Sequence, residues 1–233
     1  EEAVDHYREC LDRLGLQYTY WYSWYRGDLD TSSAYQFLED GILVWCAPQG
    51  GRIRSHPSVQ RVVGSYLERG GRLLIGGGAL AHCISTFGSE EDSLFLATYL
   101  HARAVRGFNP EDYREVVRGL NGDPIADGLR VRIIGAQGLS QYYADEIDPV
   151  SPALPIFVFE PGGTSSSTAA VRIDNGRYRL VYFTFGLEGI GETRDRERLI
   201  ERTLRWLKYG QEEVGEELEE ASELFLQNSP NPF

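Results

Sequence analysis

The chain has 233 residues, a formal charge of −12 and 42% apolar residues, which allows one sizeable core of α/β type. No run of 18 apolar residues occurs, so we predict no transmembrane segment, and the acidity argues against nucleic acid as a partner because phosphate binding needs clustered Lys and Arg. Methionine is absent and the first residues already have helical spacing, which indicates a fragment of a longer polypeptide.

The N-terminal part of the chain predicts one helix followed by two strands. Apolar residues on one face predict a helix over Ala3–Leu14 with Gly15 as its stop. The stretch Leu16–Tyr25 holds six aromatic residues, and aromatic residues favour strands. Their rings either form a surface that stacks on a sugar or pack beneath helices. The run Gly41–Cys46 predicts a buried strand.

The centre of the chain is a helix, a glycine stop, a short strand and a glycine turn. Helical spacing over Ser58–Arg69 ends at two glycines, where a left-handed cap is least costly. A buried strand over Leu73–Ile75 follows and ends in Gly76–Gly78. Ligands of open α/β sheets bind beyond the carboxyl ends of such strands. We therefore look for a functional site from Gly76 to His82.

The second half predicts a helix, a β-rich insertion, a hairpin and a closing helix. Glu90–Leu100 has the acidic start that suits a helix N-terminus, and Val105–Ile147 predicts several short strands. A strand over Pro155–Phe159 precedes two strands that the turn Asp174-Asn175-Gly176 joins as a hairpin. An amphipathic helix over Arg194–Tyr209 closes the body.

Three cysteines occur, Cys10, Cys46 and Cys83, without the CxxC spacing of a zinc site. Cys46 and Cys83 both follow predicted strands, so in an exported protein they could bridge or remain free thiols. We predict no metal site and no cofactor.

The order and spacing of several motifs resemble the class I glutamine amidotransferase-like fold, in the version found in secreted multidomain bacterial proteins, often beside peptidases. The motifs are Ile42-Leu43-Val44-Trp45, the stretch from Val63 through Gly70-Gly71-Arg72-Leu73-Leu74-Ile75 to Gly77, Tyr99-Leu100-His101-Ala102, Gly119-x-x-Gly122-Asp123-Pro124-Ile125, Tyr182-Phe183-x-Phe185-Gly186-x-Glu188, and Leu204-x-Trp206-Leu207. That fold usually begins with a strand before the first helix, which this chain lacks. The resemblance implies an α/β fold with a three-layer, flavodoxin-like or amidotransferase-like sheet that is mainly parallel, with a β-rich insertion and a late hairpin.

The resemblance also indicates that the catalytic residues are missing. The family's nucleophilic Cys stands in the glycine elbow, which here reads Gly76-Gly77-Gly78-Ala79, and Gly186 stands where the family has its His. Only Glu188 of the second motif is kept. A thiol nucleophile needs a base that a third group orients, so Gly77, Gly78, Gly186 and Glu188 are predicted to form a vestigial site.

Two interpretations of this site stay open. In the first, the crevice binds a ligand without transforming it, with Trp45, Gln49, Gly77, His82 and Glu188 as candidate contacts. In the second, Glu188 acts in a hydrolase with an unidentified partner. Alternatively, Glu188 caps a loop or pairs with Arg194, and His82 is a structural residue.

The C-terminal segment combines an acidic run with a short motif whose resemblance to a secretion signal implies export. Residues 211–223 contain seven glutamates and no basic residue. Because like charges favour an extended chain, we predict that residues 211–233 do not pack on the body. The octapeptide Leu226–Phe233 resembles the opening of the type IX secretion sorting domain, except that Ser229 stands for its usual Tyr.

The predicted organisation is an α/β domain over residues 1–209, an acidic linker over 210–224 and the start of a sorting module over 225–233. The predicted function is that of a non-catalytic accessory domain of a secreted or cell-surface bacterial protein. Its predicted partners are other domains of the same polypeptide and the type IX secretion machinery.

Overall fold

The computed structural model describes residues 2–48, 53, 56–106, 114–134, 143–160, 167–210 and 224–228. Over these residues the chain is a mixed α/β protein with a curled, eleven-stranded mixed sheet. Its helices are α1 (Glu2–Arg13), α2 (Ser23–Arg26), α3 (Thr31–Tyr35), α4 (Pro57–Glu68), α5 (Leu80–Phe87), α6 (Glu90–Thr98) and α7 (Thr193–Tyr209). Its strands are β1 (Tyr18–Tyr22), β2 (Ile42–Cys46), β3 (Arg72–Gly76), β4 (Ala102–Arg106), β5 (Val116–Gly119), β6 (Arg130–Arg132), β7 (Glu146–Pro149), β8 (Leu154–Glu160), β9 (Thr168–Asp174), β10 (Arg179–Phe183) and β11 (Leu224–Asn228).

One half of the sheet is parallel and runs in the order β1-β11-β2-β3-β10. The strands β2 and β3 are parallel neighbours, as predicted, with Val44 opposite Leu74. The glycine stop, the short strand and the following turn also lie where the sequence places them. Helices α4 and α7 each connect parallel strands of this half, since a parallel pair needs a long crossover connection.

The prediction that the C-terminal segment stays off the body is wrong for Leu224–Asn228. This segment is β11, which pairs in parallel with β1 on one side and with β2 on the other. Leu226 lies between Tyr20 and Val44 and is fully buried. A strand in this position pairs the backbone groups that β1 and β2 would otherwise leave unpaired inside the sheet. The rest of the predicted sorting module lies outside the described residues.

The other half of the sheet is antiparallel, so the prediction of a mainly parallel sheet is wrong. Strand β10 pairs with β3 in parallel and with β9 in antiparallel fashion, and β8, β5 and β6 continue the antiparallel order. The predicted hairpin at Asp174-Asn175-Gly176 forms this transition, with Gly176 at φ 76°. This hairpin reverses the chain within the four residues 175–178, whereas a parallel pair needs a long crossover. Strands β4 and β7 pair with each other, and β7 also pairs with β9.

Two apolar clusters cover the two faces of the parallel half. Alternate residues of β2 point to opposite faces: Val44 and Cys46 join a cluster with α1 and α7, whereas Leu43 and Trp45 join one with α4, α5 and α6. The same alternation separates Phe183 from Tyr182 on β10. The carboxyl ends of these strands therefore present two different environments, one on each face.

Across the described ranges, no helix combines the length and apolar character needed to cross a bilayer.

Candidate functional site

A strained strand-to-helix turn follows β3. After Gly77 and Gly78 the chain passes through Ala79, which has φ 61° and ψ 6°, and enters α5 at Leu80. A residue other than glycine rarely adopts this left-handed conformation, and such strain concentrates at functional sites. The turn lies where the amidotransferase-like resemblance expects the nucleophile, but the side chain of Ala79 is a methyl group.

Two other segments pack directly against the glycines of this turn. A Cβ atom at Gly77 would clash with the carbonyl oxygen of Ala47, which follows β2. A Cβ atom at Gly78 would lie 2.6 Å from the carbonyl oxygen of Tyr143. Glycine is therefore required at both positions by close packing of the backbone.

The segment Tyr143–Asp145 occupies the hydrogen-bond donors of the turn. The backbone N–H of Ala79 donates to the Tyr143 carbonyl at 2.6 Å. The N–H groups of Ala81 and His82 donate to Oδ2 of Asp145 at 2.8 and 3.3 Å. The first turn of α5, which could otherwise bind an anion, is thus capped by the chain itself.

Asp145 is a buried carboxyl group that the sequence did not reveal as part of the site. It is fully buried, and burial raises its pKa to about 7 although the N–H groups of His82 and Ala81 favour the charged form. Its Oδ1 atom and the Tyr182 hydroxyl both lack a hydrogen-bond partner among the described residues. Burial, and then the nearby Asp145, raises the pKa of Tyr182 well above its usual value.

Glu188 lies on the opposite face of the sheet, in a 3₁₀ turn over Leu187–Gly189 that follows β10. Its side chain is buried, and its carboxylate fills the space that a Cβ atom at Gly186 would occupy. Gly186 is the position where the resemblance expects a histidine. The carboxylate of Glu188 and a side chain at position 186 therefore exclude each other in this arrangement.

Tyr7 and Cys46 complete a buried polar cluster with Glu188. The hydroxyl of Tyr7 accepts a hydrogen bond from the Leu187 N–H at 3.0 Å and lies against Gly76. Burial, then the charge of Glu188 and that of Cys46, raises the pKa of Tyr7. Burial and the charge of Glu188 raise the pKa of the Cys46 thiol well above its usual value, whereas its hydrogen bond with Tyr7 lowers it. The thiol therefore stays protonated at neutral pH, which is its unreactive form.

Arg196 holds the turn that carries Glu188. This buried arginine of α7 donates to the carbonyl oxygens of Leu187 at 3.1 Å and Ile190 at 2.6 Å, and its Nη1 lies 3.0 Å from Nδ1 of His6. Hydrogen bonds from a charged donor are among the stronger ones in proteins. The arginine that reaches this turn is thus Arg196 rather than Arg194.

The predicted ligand contacts do not form one group. Trp45 is buried on the α4 side of the sheet, opposite to Cys46 and Glu188. His82 is partly buried on α5, with its ring edge-on to Phe87 at a centroid distance of 6.3 Å. Gln49 lies outside the described residues. The three cysteines are free thiols, so the possible Cys46–Cys83 bridge is not formed.

The strand pattern contained a signal for part of this arrangement. Cys46 and Glu188 both follow the carboxyl ends of strands, and alternation along β2 separates Cys46 from Trp45. No local signal connects Tyr7 with the turn at Leu187, or Asp145 with the turn at Ala79. Each of these residues reaches its turn from a distant part of the chain.

Comparison with known proteins supports the fold and extends no further. No protein-family model matches the chain, and no curated protein matches it. The cytoplasmic protein STM3548 from Salmonella typhimurium is similar in structure, with a TM-score of 0.55 and 11% identity over 87% of this chain and 85% of that one. The mmIFT52 N-terminal domain has a TM-score of 0.51 and 13% identity, over 78% of this chain and 83% of that one.

Two further kinds of structure match at lower TM-scores. A protein described as ThuA-like, from Parabacteroides merdae ATCC 43184, has a TM-score of 0.39 and 13% identity over 68% of each chain. The chain spans 23% of the length of the β-galactosidase from Rahnella sp. R3, with a TM-score of 0.46 and 12% identity over 72% of this chain. Likenesses at these TM-scores are too weak to support an argument about this chain. The comparisons and the sheet together define the class as mixed α/β.

Proposed function

We propose that the chain is a non-catalytic, amidotransferase-like accessory domain of an exported bacterial protein, with a ligand-binding or scaffold role. One observation supports the proposal that the domain is non-catalytic. The strained residue of the turn is Ala79, and the donors that would stabilise a reaction intermediate there already bind Tyr143 and Asp145. An oxyanion site needs donors that are aimed at the reacting atom, and here they are occupied.

The finer architecture that we propose is the three-layer amidotransferase-like one. Two facts support it: α1 and α7 cover one face of the parallel strands, and α4, α5 and α6 cover the other. In addition, β11 lies between β1 and β2, which is where a doubly wound sheet of order 2-1-3-4-5 has its first strand. In this proposal, β11 takes the place of the strand that the amidotransferase-like fold has before its first helix.

A second candidate function is a hydrolase that uses Glu188. It is favoured by the proximity of Glu188 to a thiol and a phenol, those of Cys46 and Tyr7. All three side chains are buried, so this function requires an opening movement before substrate could enter. The raised thiol pKa counts against it, since the thiolate is the nucleophile.

Ammonia release from glutamine by the purified chain separates the two functions. We expect no turnover above background, because loss of a nucleophile or base costs on the order of 10⁶ in rate in a triad enzyme. The variants Cys46→Ala, Cys83→Ala and Glu188→Gln are matched controls. Turnover that one of these substitutions abolishes would show a live site and overturn the non-catalytic proposal.

The proposal that the protein is secreted or displayed on the cell surface is supported by the octapeptide Leu226–Phe233, which resembles the start of a type IX sorting module. Its partners would then be the type IX machinery and other domains of the same polypeptide, such as a peptidase. Residues Leu226–Asn228 belong both to this octapeptide and to β11. They therefore cannot pair within this sheet and form part of a separate sorting module at the same time. Fractionation of the source cells tests export, and recovery of the protein only from the cytoplasm would overturn it.

A further inference from the structure

A surface cavity of about 470 Å³ lies between α1, the edge strand β1 and α2, away from the turn at Ala79. It is lined by Asp5, Arg8, Tyr20, Tyr22, Tyr25 and Arg26. Its volume lies within the range of small-molecule sites, which combine aromatic walls with a few polar groups. Three of the six aromatic residues between Tyr18 and Tyr25 supply these walls: Tyr20, Tyr22 and Tyr25.

The aromatic rings of this cavity form an ordered array. The rings of Tyr20 and Tyr22 are nearly parallel, at 17° and a centroid distance of 6.1 Å. The ring of Tyr25 meets that of Tyr22 edge-on at 5.0 Å and is 78% exposed. The exposed face of Tyr25 is therefore open to a ligand that enters the cavity.

One arginine of the cavity is held beside these rings, and the other is held on Trp21, which does not line the cavity. The Arg8 guanidinium lies 5.3 Å from the Tyr20 ring centroid, and it donates to Asp5 at 3.3 Å and to the Tyr18 hydroxyl at 3.4 Å. Arg26 stacks at 5.4 Å on Trp21. The cavity is thus lined by two cations and one carboxylate, in a chain whose formal charge is −12.

We infer that this cavity binds an acidic sugar, a pyranose that carries a carboxylate group. The C–H faces of a pyranose ring suit tyrosine rings, and its hydroxyl groups suit both the Asp5 acceptor and the arginine and tyrosine donors. A guanidinium matches the geometry of a carboxylate and binds it through two parallel hydrogen bonds. The excess of one positive charge in the lining favours the acidic sugar over its neutral analogue.

This inference is independent of the proposed function, because the cavity shares no residue with the turn at Ala79 or with the Glu188 cluster. It holds whether or not the chain hydrolyses glutamine.

A matched pair of probes tests the inference: methyl β-D-glucuronide, and methyl β-D-glucoside, which differs only in carrying a hydroxymethyl group in place of the carboxylate. Titration of the full chain by calorimetry or NMR at low ionic strength should give binding of the glucuronide that is about tenfold tighter, as expected for one charge-assisted pair. Added salt should reduce this difference, since exposed charges are screened.

Three variants locate the site. Arg26→Gln should remove the preference for the glucuronide, and Tyr25→Ala should weaken both sugars about tenfold, which is the value of one stacking side chain. Trp24→Ala is the control, because Trp24 is 66% exposed on the same helix but does not line the cavity. Failure of both sugars to bind, equal binding of the two, or binding that Tyr25→Ala leaves unchanged would overturn the inference.

Discussion

Truncation of Leu226 to alanine tests whether the C-terminal segment is an integral part of the folded domain. The Leu226 side chain is fully buried in the cluster that α1 and α7 form over the sheet. Its backbone lies between Tyr20 of β1 and Val44 of β2. The substitution removes apolar atoms from the centre of the parallel half while leaving the backbone hydrogen bonds of β11 unchanged.

The expected loss in the free energy of unfolding follows from the burial of Leu226. Leucine-to-alanine substitutions at fully buried sites reduce the free energy of unfolding by about 2–5 kcal/mol. We expect about 3 kcal/mol here, because neighbouring strands and helices restrict collapse into the cavity. For a chain of this length, that corresponds to a decrease in Tm of about 6–12 °C.

Urea unfolding of the full chain measures the effect, with Leu94→Ala as the matched control. Leu94 is 58% exposed on α6, and such surface changes alter stability by no more than about 0.5 kcal/mol. An unchanged m-value would show that the loss is one of stability rather than of folded structure. Equal midpoints for Leu226→Ala and Leu94→Ala would refute the reasoning. Unprotected amide hydrogens at 224–228 would refute it as well.

Three further predictions concern the buried groups. Burial raises the pKa of Asp145 to about 7, above the value of about 3.9 for unfolded aspartate. The folded state therefore binds this proton more tightly than the unfolded state does. As a result, the free energy of unfolding decreases as the pH rises from about 3.9 to about 7. Asp145→Asn should remove this fall, and parallel urea midpoints for both proteins between about pH 4 and 7 would contradict it. Gly186→Ala should lower the free energy of unfolding by about 1–3 kcal/mol through overpacking, and by less when Glu188 is also replaced by alanine. A double-mutant cycle that shows no coupling between the two positions would mean that the carboxylate does not fill the space beside Gly186. Iodoacetamide should label Cys83, which is partly exposed, before the buried Cys46, and mass spectrometry showing the reverse order would contradict the burial of Cys46.

The elements that the sequence predicted well are those with local signals. Three such elements are helix α4, strand β3 and the β9–β10 hairpin. Each has a periodic apolar pattern that glycine or asparagine-glycine turn residues bound, and each lies within a few residues of its predicted bounds. Such signals depend on neighbours along the chain. The glycine turn was predicted for the same reason, because an apolar run that ends in three glycines marks the end of a buried strand.

The candidate site was predicted only where strand ends mark it. Gly77, Gly78 and Glu188 lie at the carboxyl edge of the sheet as the motifs indicate. Trp45 lies on the opposite face of the sheet from Cys46 and Glu188, because alternate residues of a strand point apart. The occupation of the turn by Asp145 depends on a segment more than sixty residues further along the chain. No periodicity in the sequence reports such a contact.

The sequence by itself determined the segments with strong local signals, such as α4, β3 and the β9–β10 hairpin. It also determined that the residues at the glycine turn and at position 186 include neither a nucleophile nor a histidine. Only the tertiary structure decided the direction of the antiparallel half, the insertion of Leu224–Asn228 between β1 and β2, and the capping of α5 by Asp145. The physical reason is that an apolar pattern specifies burial but not the partner that provides it. Strand pairing and buried hydrogen bonds are settled by which backbone and side-chain groups of the whole chain remain to be satisfied.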